Sequence, residues 1–180
     1  MEEPEVPLEQ VHEDIHHHAR QGESWTLGVA LTTAVLAGLA AITSLLSGHH
    51  ANEGMLDQIH ASDRWNYYQA KGVKAAVLNT KMELLTGLGK VPDEKDHAKA
   101  AEYKEEQESI FKEAKEKEAA SQAHMHAHVI FARGVTMFQV AIAISAISIL
   151  TRRRAFWWVC IGFGVVGLGF LSQGLLYPVP

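Results

Sequence analysis

The chain has 180 residues, 47% of them hydrophobic, with a formal net charge of −5 and a mean hydropathy of −0.04. Its one cysteine excludes an intrachain disulfide framework, and its acidic balance argues against a nucleic-acid surface. The near-zero hydropathy averages two different materials, which separate when the chain is taken segment by segment.

Residues 1–24 form an acidic, histidine-rich tail with seven acids and Arg20 as its only base. The stretch HEDIH, residues 12–16, has the H-E-x-x-H spacing by which one helical face offers zinc two imidazoles and a glutamate as general base. A zinc protease also needs a third ligand and a substrate cleft, which a short acidic tail does not provide. The tail is expected to be partly an amphipathic helix, not a catalytic site.

WTLGVALTTAVLAGLAAITSLLS, residues 25–47, carries no Asp, Glu, Lys or Arg. It is as long as the roughly 20 residues a helix needs to cross hydrocarbon. The acidic stretch before it and its length separate it from a secretory signal, so a retained first transmembrane helix is expected, with Trp25 at the interface.

From residue 48 to residue 128 charges recur every two or three positions. Within TGLGKVPDEKD, Gly87, Gly89 and Pro92 stop one helix and Asp93 can cap the next. The flanking arms, 50–86 and 93–128, predict an antiparallel helical hairpin whose arms continue into the first and second spans. The first arm carries an apolar stripe of Met55, Ile59, Trp65, Tyr68, Val73, Ala76, Leu84, Leu85 and Leu88. The second offers little beyond Tyr103, Ile110, Phe111 and alanines. So uneven a pair buries too little apolar area to hold its own register, which points to neighbours, most simply other copies of the chain. TGLGK resembles a phosphate loop only superficially, since Val91 stands where Ser or Thr should bind magnesium.

The second span, 129–151, has Arg133 at its entrance, placed to snorkel to the headgroups or to ring a pore mouth. Arg152, Arg153 and Arg154 form the loop to the third span, 155–177, and residues 178–180 are a short tail. Short arginine-rich loops stay cytoplasmic, so the N-terminus is expected in the cytoplasm and the hairpin outside it. Trp157 and Trp158 fit interfacial anchoring. Small residues recur at helix-packing spacings: Ala30, Ala34 and Gly38 in the first span, Ala141 and Ser145 in the second, and the pairs Gly162/Gly169 and Gly167/Gly174 in the third. Cys160 falls inside the third span, where packing is its expected role. The fold class this predicts is an all-α integral membrane protein: three transmembrane helices with a long extramembrane antiparallel helical hairpin between spans one and two.

The histidines cluster. His12, His16, His17 and His18 precede span one, His49 and His50 follow it, and His124, His126 and His128 precede span two. His12 with His16, and His124 with His128, stand four apart on a helix, a spacing that can chelate Zn, Ni or Cu. Glu9 or Glu13 could add a third ligand to the first pair. The same imidazoles also fit tolerated interfacial residues or a pH-responsive cluster. No cofactor is expected, save a Zn or other transition metal at these clusters in the chelating reading.

The run GHHANEGMLDQIHASDRWNYYQAKGVKAAVL, residues 48–78, together with VPLEQVHEDIHHHA at 6–19 and the three-span layout, resembles the bacterial domain-of-unknown-function family 4337. Its most specific portion is ASDRWNYYQAK, 61–71. The resemblance covers nearly the whole chain. It implies a small bacterial integral membrane protein with no established enzymatic activity, and it carries no catalytic residues over; the inner membrane is the expected location.

Within that portion Asp63, Arg64, Trp65, Tyr67, Tyr68, Gln69 and Lys71 have the chemistry that interaction surfaces favour, which puts Trp65, Tyr68 and Gln69 at a contact between copies, with Asp63 and Arg64 beside them; the alternative is a helix-packing patch with Asp63 and Lys71 on solvated edges. Three functions follow. The first is a homo-oligomeric membrane scaffold or assembly component, contacting lipid, its own copies or a membrane protein partner. The second is a channel or transport accessory lined by Thr136, Gln139 and Ser145. The third is a histidine-based metal or pH sensor.

Overall fold

The computed structural model describes the backbone of residues 8–179 and the side chains of residues 24–179. Three helices make up the described chain: α1 (Leu8–Gly87), α2 (Glu94–Thr151) and α3 (Arg154–Leu176), with no strand among the described residues. Their lengths follow from where helix breakers fall. No proline lies between Leu8 and Val91, so nothing removes a helical hydrogen bond along α1. From Leu8 onward the expected tail, span and first arm are therefore one continuous helix. α2 ends without a proline, before Arg152, whose φ of 51° is left-handed and interrupts the helix ahead of α3. Each helix contains a segment long and apolar enough to cross a membrane.

The link from α1 to α2 is chemically specified. Lys90 N–H donates to Leu85 O at 2.9 Å and Gly89 N–H to Thr86 O at 3.0 Å, with Gly89 at φ 73°. This is a Schellman cap, whose left-handed residue costs glycine nothing. Asp93 Oδ1 accepts from Lys95 N–H at 3.0 Å, and Glu94 and Asp96 occupy the first turn of α2. These carboxylates complement the unsatisfied amides and positive dipole of that terminus.

The chain divides into two compact units, one from residues 1–47 and 130–176, the other from residues 48–129 and 177–180. In the first, Leu36, Phe138, Ala141 and Cys160 form the core, with Leu39, Ile142 and Phe163 packed on it. Gly164, Gly167 and Gly174 let α3 approach closely. A Cβ on Gly167 would stand 2.7 Å from the Phe138 ring, and one on Gly174 would stand 2.6 Å from Phe131. Of the two glycine pairs expected in span three, 167/174 is used for packing, whereas a Cβ on Gly162 or Gly169 would meet nothing. The half-buried Thr33 hydroxyl lies 2.8 Å from both Val29 O and Ser145 Oγ, and the buried Ser145 donates to Ile142 O at 2.7 Å, so both hydroxyls are satisfied.

In the second unit α1 and α2 pair in antiparallel order. Lys117 meets Asp57 at 2.9 Å, Arg64 meets Glu113 at 3.2 Å, Lys71 meets Glu106, and Lys81 meets Asp96 at 2.7 Å. Gly54, Ala61, Tyr68, Ala75 and Met82, seven residues apart, are buried or half-buried on α1, as are Gln107, Ala114, Ser121 and His128 on α2. A seven-residue period is the seam of a left-handed two-helix pair.

This seam differs from the stripe read in the sequence. Trp65, Tyr68 and Leu85 lie on it, but Met55, Ile59, Val73, Leu84 and Leu88 are 51–72% exposed. The reason is that the seam is built from small and polar residues, whose hydrogen bonds do what apolar burial was expected to do. Ser121 Oγ donates to Gly54 O at 2.7 Å and Gln107 Nε2 to Tyr68 O at 3.2 Å.

Candidate functional site

Three groups of side chains in the second unit could act. The first is the aromatic patch at Trp65. Its ring lies 5.5 Å from Phe111 and 5.6 Å from Tyr68, both edge to face, and Lys115 Nζ sits 5.4 Å from its centroid. These geometries favour the attraction between a ring edge, or a cation, and a ring face. Trp65 and Tyr68, expected to contact other copies, are thus turned onto Phe111 of the same chain. Arg64 pairs with Glu113, while Asp63 and Gln69 remain exposed.

Lys71 corrects an expectation outright. Placed on a solvated edge by its charge, it is only 8% exposed in the structure. Its ammonium lies 4.9 Å from the Tyr103 centroid and 5.2 Å from that of Tyr67, and it bonds to Glu106. The hydrogen bond to Glu106 raises its pKa above the ordinary lysine value, against the opposing effect of desolvation. Lysine at a seam position reads as solvated unless Glu106, 35 residues on, is known to face it. Lys71 stands three residues after Tyr68, at the second seam position of the seven-residue repeat, and that spacing is the one signal the sequence offers.

The second group is the histidine pair. His50 Nδ1 and His124 Nδ1 are 3.0 Å apart, with ring centroids at 5.3 Å, and His49 lies 5.5 Å from His50. Such a contact holds one proton between two nitrogens, so it is made when at least one ring is neutral. Burial lowers the His50 pKa below the ordinary value. His124, His49 and His128 push the same way, and Glu53 opposes them. His126 stacks on Tyr177 at 5.0 Å. Sequence spacing had joined His124 to His128 along one helix; the structure joins it to His50 across two. Among the described residues no group of three or more His, Cys, Asp or Glu is arranged to hold a metal. The side chains of His12 and His16 lie outside the described residues.

The third group is an uncovered apolar stripe. Val73, Val77, Leu84 and Leu88 are 62–72% exposed and, with Thr80 and Lys81, line a shallow groove on α1. Spacings of four, seven and four residues keep these four apolar side chains on one face.

In the first unit, Trp25 is half-buried, with no hydrogen-bond partner for its indole N–H among the described residues. Trp157 Nε1 donates to Thr32 Oγ1 at 3.3 Å, and Trp158 and Arg133 are exposed. Arg152, Arg153 and Arg154 are all exposed where α2 gives way to α3. The polar residues considered as a passage lining do not share one surface. Thr136 and Gln139 are exposed, whereas Ser145 is buried against Thr33.

The described chain is thus all-helical, with three helices long and apolar enough to span a membrane. It belongs to the family described as Domain of unknown function (DUF4337), whose model matches residues 25–177. No curated protein and no solved structure matches it.

Proposed function

We propose that this protein is a non-enzymatic, homo-oligomeric scaffold of a bacterial inner membrane. In this reading the apolar segments of α1, α2 and α3 are transmembrane and residues 48–128 form an extramembrane hairpin through which copies associate. The arginine loop lies in the cytoplasm and the hairpin outside it, as short basic loops dictate. The observation that carries the proposal is the stripe Val73, Val77, Leu84 and Leu88, exposed on α1 outside all three apolar segments. Contiguous apolar surface on a helix whose other face is already paired marks a contact with another macromolecule. A second copy supplies an identical stripe, and self-complementary apolar faces are how symmetric oligomers close.

The test is native mass spectrometry of the full chain in mild detergent, comparing wild type with V77E/L84E. A discrete oligomer that becomes monomeric in the variant, with helicity unchanged by circular dichroism, supports the scaffold. A wild-type monomer at micromolar concentration overturns it.

A second reading, a pH-responsive device, is supported by the His50–His124 contact. It predicts that any oligomer or partner contact weakens on acidification in wild type and not in H50Q/H124Q.

A further inference from the structure

The segments 24–47 and 130–176 together contain four arginines and no Asp, Glu or Lys. Three of those arginines are consecutive, at 152–154, and exposed. Every ion pair among the described residues involves residues between Asp57 and Glu118, so none neutralises this loop. The loop backbone is nonetheless well tied. Arg152 N–H donates to Ile149 O at 3.3 Å, and the buried Ser148 donates its hydroxyl to Arg153 O at 3.2 Å. On the next turn Trp157 is held against Thr32 and Gly28, while the neighbouring Trp158 is 66% exposed.

We propose that Arg152, Arg153 and Arg154, with Trp158, form a docking surface for anionic phospholipid headgroups where α2 meets α3. The inference rests on the membrane-spanning reading and goes beyond it by naming a lipid class. Guanidinium groups bind phosphate through paired, directional hydrogen bonds. An exposed indole beside them suits the headgroup level, where one side of the ring is wet and the other apolar. Three adjacent positive charges with no ion-pair partner among the described residues gain most from a surface that carries negative charge. Each basic residue near such a surface strengthens binding by about fivefold at physiological ionic strength. Salt weakens that gain, because exposed charges are screened over roughly 8–10 Å.

The test uses the full chain in mild detergent, titrated separately with phosphatidylglycerol and phosphatidylcholine and read by native mass spectrometry. Wild type is expected to retain phosphatidylglycerol at least tenfold better. R152Q/R153Q/R154Q should retain the two lipids equally, while K95Q/K104Q/K112Q, altered among the exposed lysines of α2, should keep the preference. Millimolar inorganic phosphate should compete poorly if an intact lipid is the ligand; full displacement by phosphate overturns the lipid assignment in favour of a free anion. Equal retention of both lipids by wild type also overturns it. So does a preference seen only after the acids of residues 1–23 are changed to amides, which would make that segment the occupant. Resistance of wild type and variants to alkaline carbonate extraction is measured alongside. Loss of the protein from the membrane pellet would fault the membrane-spanning reading, whereas retention with no lipid preference would fault this inference alone.

Discussion

At the scale of single residues, the described side chains divide by what their surroundings permit. Gly167 and Gly174 have no room for a methyl group beyond the rings they touch, while Gly162 has open space. Gly167→Val and Gly174→Val are each expected to destabilise the full chain by about 1–3 kcal/mol through overpacking, and Gly162→Val to be near neutral. Thermal unfolding in one detergent, with the three variants side by side, checks the contrast. His50 gives a pH dependence whose sign follows from burial and like charge. Its pKa is lower in the folded chain than in the unfolded one, so between those two values the unfolded state binds more protons. Stability should therefore be unaffected by this group well above its ordinary pKa of about 6.5, and should fall as pH drops below it. Melting temperatures measured from pH 8 to pH 5 should fall more steeply for wild type than for His50→Gln; equal slopes would remove His50 as the cause.

At the scale of elements, the seam between α1 and α2 is held by groups that hydrophobic patterning does not register. Ser121 spends its hydroxyl on the Gly54 carbonyl, at a position where the Cβ of a residue larger than glycine would meet Met125 at 3.1 Å. Ser121→Ala is expected to cost about 1 kcal/mol, the usual net worth of one such bond, since the Gly54 carbonyl keeps its place in the helical ladder of α1. Asp93→Ala should cost a similar amount, about 0.5–2 kcal/mol, by uncapping α2. Urea titrations of both variants, followed by circular dichroism, read these losses directly. The turn itself is legible in the sequence, because Gly89 and Asp93 do locally what their chemistry allows. The three apolar segments are legible too, since length and absence of charge decide them. The pairing face of α1 is not. Its positions at 54, 61, 68 and 75 are Gly, Ala, Tyr and Ala, and their role depends on residues about 30 to 70 positions away. Searching for large apolar residues selects Val73 and Leu84, which the structure leaves exposed. The same long-range pairing hides the candidate sites, for the Glu106 that pairs with Lys71 and the His124 that meets His50 both lie on the other helix.

At the scale of the whole molecule, the single cysteine offers a direct measure of topology. Cys160 is fully buried in the first unit. In intact membranes it should resist maleimide and react only after denaturation. In a Cys160→Ala background, Gln122→Cys and Arg153→Cys, both at exposed positions, place one probe in the proposed hairpin and one in the arginine loop. A membrane-impermeant maleimide added to intact spheroplasts should label the first and spare the second. The reverse pattern would invert the proposed orientation while leaving the helices as described.

The division into two units also carries a consequence for biosynthesis. The second unit is nearly contiguous in sequence, but the first is completed only when residues 130–176 join residues 24–47. At about 5–20 residues per second, the intervening stretch of roughly 80 residues takes on the order of 4–16 s to translate. During that interval Leu36, destined to pack with Phe138 and Cys160, has no partner of its own chain. The helical part of the second unit, residues 48–129, can close first and join His50 to His124, with Tyr177 stacking on His126 only at the end. Doing so converts a long free loop into a short one before the apolar partners arrive, and lowers the entropy that their meeting must overcome. The polar seam, weak in apolar area, would then serve the newborn chain as a clasp that times the assembly of everything around it.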